Sequence, residues 1–511
     1  MSKNNFYITT PIYYPSGQPH MGHAYSSILT DVFARFKRID NNKVYFLTGT
    51  DEHGLKIQKS AEKNNLEPLI YCNKISAVFK NFSNKLNLSN DDFIRTTEKR
   101  HHKAVEDLWN RLIKSGDIYL SKYKGWYSIS DEAYYNSDEV IEKNGKKFST
   151  FSGSQVEWVE EDSFFFKLSS WEKKLLEFYE KNEKFVLPLS RRNEVIKFVK
   201  SGLKDLSVSR TSFTWGIKVP NNNNHVIYVW LDDLTKYLSA LNFPQIKNSL
   251  YKNFWPASLH VIGKDILRFH AIYWPAFLLA ANIEPPKRVF SHGWILTGDE
   301  KMSKSKGNIL NPSEIIDKYG VDELRYYLMK EVSHGSDGSI SLKSLENCIN
   351  SDLANNYGNL CQRVLSFIEN NCDGKVVRLQ KLSDNDTKFI EKTKNLTKDL
   401  RRLMDEQNLN NYLKSVLEIS FLTNKYINDE EPWKLKKNNK DKMNTILHLS
   451  LEQIAKISIL LSPIIPEASK KVLDSLNIEN NLRNLSFLEG KDLLKKEIKI
   501  DSLNILFKKY T

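Results

Sequence analysis

The opening of the chain alternates between short apolar runs and one helical pattern. "FYITT" at residues 6–10 is typical of a buried strand, and "VYFLTGT" at residues 44–50 predicts a second one. The segment between them carries apolar residues at helical spacing: Ile28, Leu29, Val32, Phe33, Phe36 and Ile39. A strand, a helix and another strand begin a parallel α/β sheet, in which ligands bind at the carboxyl ends of the strands.

The pattern changes twice farther along the chain. Residues 116–226 are aromatic, alternating and charged, as in "VEWVEEDSFFFKL", which indicates an inserted unit. Strand-like runs return in "HVIYVWL", "LHVIGKD" and "RVFSHGWI", and the helical "ILRFHAIYWPAFLLAA" separates the last two. From about residue 346 onward the helical periodicity predicts an α-helical bundle, with "KLKKNNKDKMN" as a solvated loop between helices.

Composition narrows the classes of function. The 511 residues hold 75 Lys and Arg against 62 Asp and Glu, and the net charge of +13 suits a nucleic-acid partner, although coding bias would give the same excess. Four scattered cysteines without a CxxC pair indicate a reducing compartment and no structural zinc site. The longest apolar stretch has 13 residues, too short to cross a bilayer, and the N-terminus leaves no room for a signal peptide, so we expect a cytoplasmic protein.

The tetrapeptide "HMGH" at the start of the first predicted helix is a candidate nucleotide site. His20 and His23 would lie beside free backbone N–H groups and the positive end of the helix dipole, where phosphates bind readily. Gly22 removes a side chain, so a nucleotide can approach the backbone. Taken alone, the motif is also consistent with two histidines that only cap and pack against the helix.

A second motif, "LTGDEKMSKSKGN", is a basic loop. Lys301, Lys304 and Lys306 alternate with small or hydroxyl side chains between two glycines, as in a mobile loop that closes over phosphates. A solvated surface loop would have the same composition. The presence of both motifs in one chain favours phosphate binding.

These two motifs, as "HMGH" and "KMSKS", resemble the signatures of the class I aminoacyl-tRNA synthetases. Further segments are similar to the methionyl-tRNA synthetases in particular and follow that family's order: "PIYYPSGQPHMGHAYS", "LTGTDEHG", "YVWLD", "HVIGKDILRFHAIYWPA", "HGWILTGDEKMSKSKGN", "GNLCQR" and "EPWKL". The similarity extends from about residue 6 to about residue 470. An ordered set of this kind does not arise by chance.

The resemblance implies an α/β fold, namely a Rossmann-type parallel-sheet catalytic domain with an inserted connective domain, followed by an α-helical anticodon-binding bundle. Residues 1–115 and 227–295 would form the two halves of the catalytic domain, and residues 116–226 a zinc-free, knuckle-like connective domain. Residues 296–345 would hold the KMSKS loop and the stem-contact region, and residues 346–511 would form the anticodon-binding domain.

The resemblance also implies the activity of a methionine–tRNA ligase. The methionine carboxylate attacks the α-phosphorus of ATP, which is supplied with Mg²⁺, and pyrophosphate leaves. A terminal ribose hydroxyl of tRNA(Met) then takes the methionyl group, for translation initiation and elongation. Because no difficult proton transfer is involved, catalysis rests on positioning and electrostatic stabilisation. ATP is expected to bind at His20, Gly22, His23 and Lys304, and the expected catalytic residues are His20, His23, Lys301 and Lys304.

The methionine pocket implied by the resemblance is aromatic, because aromatic rings receive a polarizable thioether well. Its expected side chains, with a histidine near the sulfur, are Tyr14, Trp230, Tyr237, Phe269, Trp274 and His270. Asp51 and the carbonyl of Ile12 would hold the substrate ammonium, and Asp265 would be a carboxylate at the pocket floor. The chain departs from the family at Asp233, where a small apolar residue is usual. Since a carboxylate facing a thioether is costly to desolvate, either Asp233 points away or the local geometry differs.

Neighbouring specificities fit less well. Enzymes for leucine, isoleucine or valine need a second site to reject near-isosteres, normally in an insert larger than residues 116–226. An enzyme for cysteine is expected to hold the substrate thiol with zinc, and this chain has no clustered cysteines. The insert itself contains no cysteine, so we expect no metal site and no protein-bound zinc.

Recognition of tRNA(Met), both initiator and elongator, is expected from the C-terminal region. By resemblance, Asn359 and Arg363 share one helix face, and Trp433 offers a flat ring to an unstacked anticodon base. The plainer alternative makes Arg363 a surface ion-pair partner and Trp433 a core anchor. The chain ends soon after "LSPIIPEASKKVLDSL", too early for the oligonucleotide-binding barrel by which some relatives dimerise, so we expect a monomer without membrane contact.

Two other functions stay open at this point. A small-molecule nucleotidylyltransferase would share the HxGH chemistry on a similar sheet, but it would not need the long helical C-terminal region. A catalytically inactive tRNA-binding protein would not need both phosphate-binding motifs intact. Pyrophosphate exchange with methionine and ATP distinguishes all three.

Overall fold

The structure of the chain is a computed structural model. It describes residues 4–15, 17–131, 133–297, 300–301, 310–333, 335–378 and 381–510, without the side chains of residues 134, 297, 300 and 301. Within these ranges, parallel strands and helices come first, antiparallel strands follow, and helices make up most of the C-terminal part.

Residues 4–115 alternate strands with helices, as their apolar pattern predicts. The elements are β1 Asn5–Thr9, α1 Met21–Ile39, β2 Lys43–Thr50, α2 Leu55–Lys63, α3 Pro68–Lys85, β3 Asp92–Arg95 and α4 Lys99–Lys114. The predicted apolar face of α1 is buried from Ile28 to Phe36. A Cβ atom at Gly49 would lie 1.9 Å from the carbonyl oxygen of Ile94, so only glycine allows β2 and β3 to approach this closely.

Residues 116–228 are mostly antiparallel. Their elements are β4 Ile118–Ser128, β5 Ala133–Tyr135, β6 Val140–Lys143, β7 Lys146–Ser149, β8 Glu157–Phe166, α5 Glu172–Lys181, β9 Val186–Leu187, α6 Leu189–Lys200, β10 Leu206–Ser207, β11 Ser209–Arg210, β12 Lys218–Val219 and β13 Asn222–Ile227. The long strands β4 and β8 pair antiparallel from Ile118↔Phe166 to Tyr127↔Glu157. The alternating, aromatic sequence of this segment therefore forms paired strands.

Residues 229–348 return to strands that alternate with helices. The elements are α7 Val229–Ser239, α8 Ser249–Phe254, β14 Leu259–Gly263, α9 Trp274–Ala280, β15 Val289–His292, β16 Ile295–Thr297, β17 Glu300–Lys301, α10 Pro312–Tyr319, α11 Val321–Glu331, β18 Gly338–Ile340 and α12 Leu342–Cys348. Ahead of α9 the chain forms a 3₁₀ turn at Lys264–Ile266 and a π-helical turn at Phe269–Tyr273. A π-helical turn is rare and frequently marks a functional site.

A six-stranded parallel sheet organises these segments, with the order β3-β2-β1-β14-β15-β9. Strand β9 lies within the predicted insert, yet it pairs with β15 at one edge of this sheet. On one side of the β1–β14 pair the sheet continues with β2 and β3, and on the other side it continues with β15 and β9. In open parallel sheets, this switch point is where ligands bind.

Two local sequence predictions were wrong in part. The strand predicted for "HVIYVWL" ends at Ile227, and helix α7 begins at Val229. Strand β13 belongs to a three-stranded antiparallel sheet, not to the parallel one. The loop predicted for "KLKKNNKDKMN" is short, because helices occupy Pro432–Leu435 and residues from Lys440 onward.

The C-terminal part is helical, as predicted. After a π-helical segment at Ile349–Gly358, its elements are α13 Asn359–Cys372, β19 Lys375–Val377, α14 Asp384–Thr397, α15 Leu400–Asp405, α16 Leu409–Glu430, α17 Pro432–Leu435, α18 Lys440–Leu461, α19 Pro466–Ser475 and β20 Glu497–Lys499. One apolar core joins α1 of the first segment to the buried faces of these helices.

A fully buried arginine links the helical part to the parallel-sheet part. Arg325 on α11 donates from Nη2 to the carboxylate of Asp31 on α1 at 2.7 Å and to the carbonyl of Pro463 at 2.8 Å. Its Nε donates to the carbonyl of Ile464 at 2.8 Å, and its Nη1 donates to the carbonyl of Leu86 at 3.1 Å. One side chain therefore binds segments that are distant in sequence.

Candidate active site

The two histidines of "HMGH" lie together at the N-terminus of α1. Nδ1 of His20 accepts the backbone N–H of Gly22 at 3.1 Å, and Nδ1 of His23 accepts the backbone N–H of His20 at 3.1 Å. The two rings stack with their centroids 3.7 Å apart. A Cβ atom at Gly22 would lie 3.0 Å from Cε1 of His20, so glycine leaves room for this ring. The histidines do cap the helix, and this orders both rings.

These caps determine the hydrogen-bonding character of each ring. A neutral imidazole whose Nδ1 accepts a hydrogen bond carries its proton on Nε2. Burial, together with the neighbouring His20 and Lys56, holds the pKa of His23 well below its usual value, so this ring is neutral at pH 7. Both histidines therefore have Nε2–H donors, which are the groups that phosphate oxygens accept from.

A cavity of about 450 Å³ lies beside the histidines, at the carboxyl ends of β1, β2, β14 and β15. This is the switch point of the parallel sheet. Most of the predicted site residues line the cavity, namely Ile12, Tyr14, His20, Gly22, His23, Asp51, Trp230, Asp265, Phe269 and His270. Residues from distant parts of the sequence therefore meet at one place.

The apolar wall of the cavity is a pair of stacked aromatic rings. Trp230, at the start of α7, and Phe269, in the π-helical turn, are parallel to within 6° with centroids 3.6 Å apart. The indole N–H of Trp230 has no hydrogen-bond partner among the residues that the structure describes. Flat, polarizable rings of this kind suit a flexible thioether.

Two predicted pocket residues, Tyr237 and Trp274, lie behind this wall. Both are fully buried, and neither lines the cavity. The hydroxyl of Tyr237 is 2.8 Å from Nε2 of His270, whose Nδ1 is 3.0 Å from the carbonyl of Ile266. A carbonyl only accepts, so Nδ1 carries the proton and Nε2 accepts from the tyrosine. Burial and nearby Lys236 lower the pKa of His270 to about 3, which keeps the ring neutral.

The segments that hold Ile12 and Asp51 run side by side at the sheet edge. The backbone N–H of Tyr13 donates to the carbonyl of Gly49 at 2.9 Å, and the backbone N–H of Asp51 donates to the carbonyl of Tyr13 at 3.0 Å. The Asp51 carboxylate is buried where it borders the cavity. This pairing brings a carboxylate and a carbonyl segment to the same side of the cavity.

The two remaining pocket predictions are Tyr14 and Asp265. The hydroxyl of Tyr14 donates to the backbone carbonyl of His53 at 2.5 Å, which orients its ring at the cavity. Asp265 is exposed at the cavity edge and accepts the indole N–H of Trp294 at 3.3 Å. Asp265 therefore borders the opening instead of lying at a closed floor.

Asp233 is among the residues that line the cavity, and its carboxylate is paired with a buried lysine. Nζ of Lys236, one helical turn later on α7, donates to Oδ2 of Asp233 at 2.6 Å. Both side chains are almost fully buried. An opposite charge at hydrogen-bond distance offsets part of the cost of burying the carboxylate. The local geometry therefore differs from a wall with a small apolar residue.

The KMSKS segment lies only partly within the described residues. Strand β17, which contains the backbone of Lys301, pairs antiparallel with β16, and Ile295 of β16 lines the cavity. Lys304 lies outside the described residues. The chain therefore leads from the cavity edge into the segment for which phosphate contact is predicted.

The structure adds a cavity residue that sequence reasoning missed. Nε2 of His292, at the end of β15, is 2.7 Å from Oγ of Ser26 on α1, and its Nδ1 is 2.8 Å from the carbonyl of Gly293. All three residues line the cavity. Part of the signal was available, because His292 lies within the predicted strand-like run "RVFSHGWI", and parallel sheets bind ligands at the carboxyl ends of their strands.

A second candidate site lies on the helical part. Asn359 and Arg363 are one turn apart on α13, and the Arg363 guanidinium lies 5.5 Å from the ring centroid of Trp433. Arg363 donates from Nη2 to the side-chain oxygen of Asn428, a neutral partner, at 2.8 Å. Trp433 is 41% exposed, so it is not a core anchor. These side chains form one surface patch.

Metal sites and membrane spans were sought in the described ranges alone. There, no group of three or more His, Cys, Asp or Glu residues is arranged to hold a metal ion. Across the same ranges, every helix is too short or too polar to cross a membrane. The absence of protein-bound zinc stays a prediction.

Known proteins match the chain over almost its whole length. Residues 6–365 match the family model described as tRNA synthetases class I (M), and residues 377–511 match the anticodon binding domain of methionyl tRNA ligase. The methionine–tRNA ligase of Rhizobium meliloti is 47% identical over 99% of this chain and 98% of its own. The methionine–tRNA ligase of Rickettsia felis is 49% identical over 94% of each chain.

Solved structures agree with this match. The Mycobacterium tuberculosis methionyl-tRNA synthetase in complex with methionyl-adenylate has a TM-score of 0.96 at 42% identity, over 99% of both chains. The free form of that protein has a TM-score of 0.89 at 39% identity, over 100% of this chain and 99% of its own. The predicted fold, with a parallel-sheet catalytic part followed by a helical anticodon-binding part, is confirmed.

A cavity at the switch point of a parallel sheet, bordered by capping histidines, is what a class I aminoacyl-tRNA synthetase requires, and the family model agrees. The family models that match residues 6–365 and 377–511 both describe the enzyme for methionine. The relative from Rhizobium meliloti, a methionine–tRNA ligase, covers 99% of this chain. The chain belongs to the methionyl-tRNA synthetase family.

Proposed function

We propose that the chain is active as a methionine–tRNA ligase. It activates methionine with ATP to give methionyl-adenylate and pyrophosphate, and it then transfers the methionyl group to the 3′ end of tRNA(Met) for initiation and elongation. ATP enters with Mg²⁺. The observation that carries the proposal is the single cavity that joins the histidine-capped N-terminus of α1 to the aromatic pair Trp230 and Phe269. A phosphate site and a thioether site are thereby adjacent.

The activation step depends on stabilising charge that moves onto the pyrophosphate. His20 and His23 donate Nε2–H to phosphate oxygens, beside the positive end of the α1 dipole, and Gly22 lets the nucleotide approach. Lys301 and Lys304 close over the β- and γ-phosphates. Because the rings are ordered by their caps before ATP binds, little reorganisation is needed in the transition state.

Methionine lies with its polar end toward Asp51 and its thioether toward the aromatic pair. Asp51 and the carbonyl of Ile12 bind the ammonium, and Tyr14 and His270 border the side chain. Tyr237 and Trp274 act from behind, since the hydroxyl of Tyr237 donates to Nε2 of His270, whose tautomer is fixed by the carbonyl of Ile266. Asp265 borders the opening through which ATP and the tRNA end approach. A buried polar set of this kind favours a substrate that satisfies each group.

We also propose a role for each range of the chain. Residues 1–115 and 227–295 carry out activation, residues 116–226 form the connective part, residues 296–345 hold the KMSKS loop, and residues 346–511 read the anticodon. The pairing of β9 with β15 means that the connective range also supplies an edge strand to the catalytic sheet.

The chain is further proposed to work as a cytoplasmic monomer without membrane contact, and light scattering at micromolar concentration tests the monomer.

The experiment that tests the activity is methionine-dependent exchange of radioactive pyrophosphate into ATP, followed by charging of tRNA(Met) transcripts. A ligase performs both reactions. A small-molecule nucleotidylyltransferase would exchange pyrophosphate without a requirement for methionine, and an inactive RNA-binding protein would do neither. Leucine and isoleucine serve as controls, because the aromatic cavity is proposed to select the thioether.

The patch formed by Asn359, Arg363 and Trp433 is proposed to bind the anticodon. Trp433→Ala should lower the efficiency of tRNA charging by roughly tenfold, because loss of a stacked base costs about 1–3 kcal/mol and about 1.4 kcal/mol corresponds to one decade. Methionine-dependent pyrophosphate exchange should be unchanged, since it does not use the anticodon. Steady-state charging and exchange are measured on the same preparation.

A matched control is available for this substitution. Phe421 on α16 is an exposed aromatic residue of the same helical part, so Phe421→Ala should leave charging unchanged. Trp433→Phe keeps a ring and should retain most of the charging activity. If charging and exchange fell together with the melting temperature, Trp433 would have a structural role and the anticodon proposal would be wrong.

The connective part is proposed to fold without zinc, because residues 116–226 contain no cysteine. Elemental analysis of protein purified without chelator should find no stoichiometric zinc, and dialysis against EDTA should not change exchange activity once Mg²⁺ is restored. About one tightly held zinc ion per chain would contradict this prediction.

A further inference from the structure

A buried histidine outside the cavity connects two parts of its wall. The backbone carbonyl of His53 accepts the hydroxyl of Tyr14 at 2.5 Å, and Nδ1 of His53 lies 2.7 Å from Oδ2 of Asp232 on α7. Tyr14 lines the cavity, as do Trp230 and Asp233 of α7, whereas His53 itself does not. One residue therefore joins Tyr14 to the helix that carries Trp230.

The bond between His53 and Asp232 is charge-assisted and shielded from water. Asp232 is fully buried. Burial alone would raise the pKa of its carboxyl, but His53 and His101 hold that pKa below its usual range. A carboxylate only accepts, so Nδ1 of His53 is the donor. Because hydrogen bonds to an ionised group are roughly twice as strong as those between neutral groups, this contact is a firm link between His53 and α7.

The backbone on both sides of His53 is held independently of the imidazole ring. Nε1 of Trp215 donates to the carbonyl of Glu52 at 2.6 Å, and the N–H of Gly54 donates to the carbonyl of Trp215 at 3.2 Å. Loss of the ring would therefore leave the backbone around His53 attached to its surroundings. What the ring adds is the contact between this backbone segment and α7.

We propose that His53 is a positioning residue that fixes the spacing between Tyr14 and α7, and thereby the width of the methionine site. Tyr14 and Trp230 line the same cavity, so a change in their separation alters how closely the cavity surrounds the substrate. A gap of about 0.5–1 Å already forfeits roughly a quarter to a half of the dispersion attraction between two surfaces. This role rests on the proposed function, because it requires the cavity to bind methionine.

The test compares two variants of His53 that have nearly the same shape. The amide nitrogen of His53→Asn lies near the position of Nδ1 and can still donate to Asp232, whereas His53→Leu has no donor. In pyrophosphate exchange, His53→Leu should raise the methionine KM by about tenfold and change kcat and the ATP KM by less than about threefold. His53→Asn should keep the methionine KM within about threefold of the wild-type value. An equal rise in both variants, or a rise in neither, would overturn the proposal.

The other link of the connection can be broken without exposing a buried charge. Tyr14→Phe keeps the ring and removes the hydroxyl that donates to His53, so it should raise the methionine KM by about threefold or more. Combined with His53→Leu, it should add little to the larger single effect, because both changes break one connection. Two effects that multiply would contradict the proposal. If His53→Leu does not fold, the proposal requires that the KM rises in Tyr14→Phe and not in His53→Asn.

His101 on α4 offers a matched control, because it binds the other oxygen of the same carboxylate. Its Nε2 donates to Oδ1 of Asp232 at 2.7 Å, and its ring is fully buried away from the cavity. Helices α4 and α7 also belong to one apolar core, so His101→Leu should lower the melting temperature without changing the methionine KM. A rise in KM equal to that of His53→Leu would show general damage around Asp232 and would overturn the specific role of His53.

Binding of methioninol, followed by tryptophan fluorescence, separates this role from the proposed function. His53→Leu should weaken binding by about tenfold, and His53→Asn should leave it within about threefold of the wild-type value. Equal affinities in the two variants would contradict the proposal. If wild-type protein bound methioninol but catalysed no exchange, the proposed function would fail, while the binding comparison would still decide the role of His53.

Discussion

Replacing Lys304 with alanine is expected to slow methionyl-adenylate formation by about 100-fold or more, while the affinity for methionine stays near that of the wild type. The lysine is proposed to contact the β- and γ-phosphates as pyrophosphate leaves, so its contribution belongs to the transition state. A 100-fold loss corresponds to about 2.7 kcal/mol. Single-turnover rates measured by rapid quench, together with methionine titration of tryptophan fluorescence, give both quantities.

Two comparison variants sharpen the Lys304 result. Lys304→Arg keeps the positive charge and should recover a large part of the lost rate, since charge is the property that matters at a polyphosphate. Lys318→Ala removes one exposed lysine on α10 and controls for the change in net charge. An unchanged single-turnover rate in Lys304→Ala would show that the KMSKS segment does not act on the phosphates.

The variant His23→Asn is expected to reduce pyrophosphate exchange by about 100-fold while the protein stays folded. The amide oxygen of asparagine lies near the position of Nδ1 and can still accept the backbone N–H of His20. No group replaces the Nε2–H donor. Removing one donor aimed at developing negative charge typically costs 10²–10³ in rate. The exchange rate at saturating ATP and the melting temperature are measured together.

His23→Gln gives the complementary variant. Its longer amide reaches toward the Nε2 position but does not reproduce the cap at Nδ1, so it should lose more stability than His23→Asn and less activity. Together, the two variants separate the capping role of Nδ1 from the phosphate-binding role proposed for Nε2. If His23→Asn kept the full exchange rate, the histidines would serve α1 alone and the proposed phosphate contact would be withdrawn.

Local and contiguous features were predictable from the sequence. The apolar positions from Ile28 to Phe36 specify α1, because apolar side chains at this spacing lie on one face, and are buried together, only if the segment is helical. The HMGH cap follows from residues three apart on the same turn. Asn359 and Arg363 share a helix face for the same reason. In each case the information needed lies within one or two helical turns.

Features that depend on where a short strand ends and the next helix begins were not predictable. "HVIYVWL" is apolar throughout, and such a run does not distinguish the end of a strand from the start of a helix. That error hid the spacing of Asp233 and Lys236 on one helix, and with it the buried pair. Tyr237 and Trp274 are fully buried behind the cavity wall, and Trp274 directly follows the π-helical turn at Phe269–Tyr273, which changes the helical register of the residues after it. No periodicity in the sequence marks that shift.

The hydrogen bonds of Arg325 affect how the protein folds and unfolds. The guanidinium of Arg325 is satisfied by the carboxylate on α1 and by carbonyls that follow α3 and α18, and a buried guanidinium deprived of such partners is strongly destabilising. Unfolding of either the parallel-sheet part or the helical bundle alone would therefore leave this buried charge without some of its partners, which disfavours such partial unfolding. Arg325 thus couples the helical part to α1, the helix whose first turn carries the histidines proposed to bind phosphate, and a fragment ending before Pro463 would lack two of the carbonyls that accept from this guanidinium.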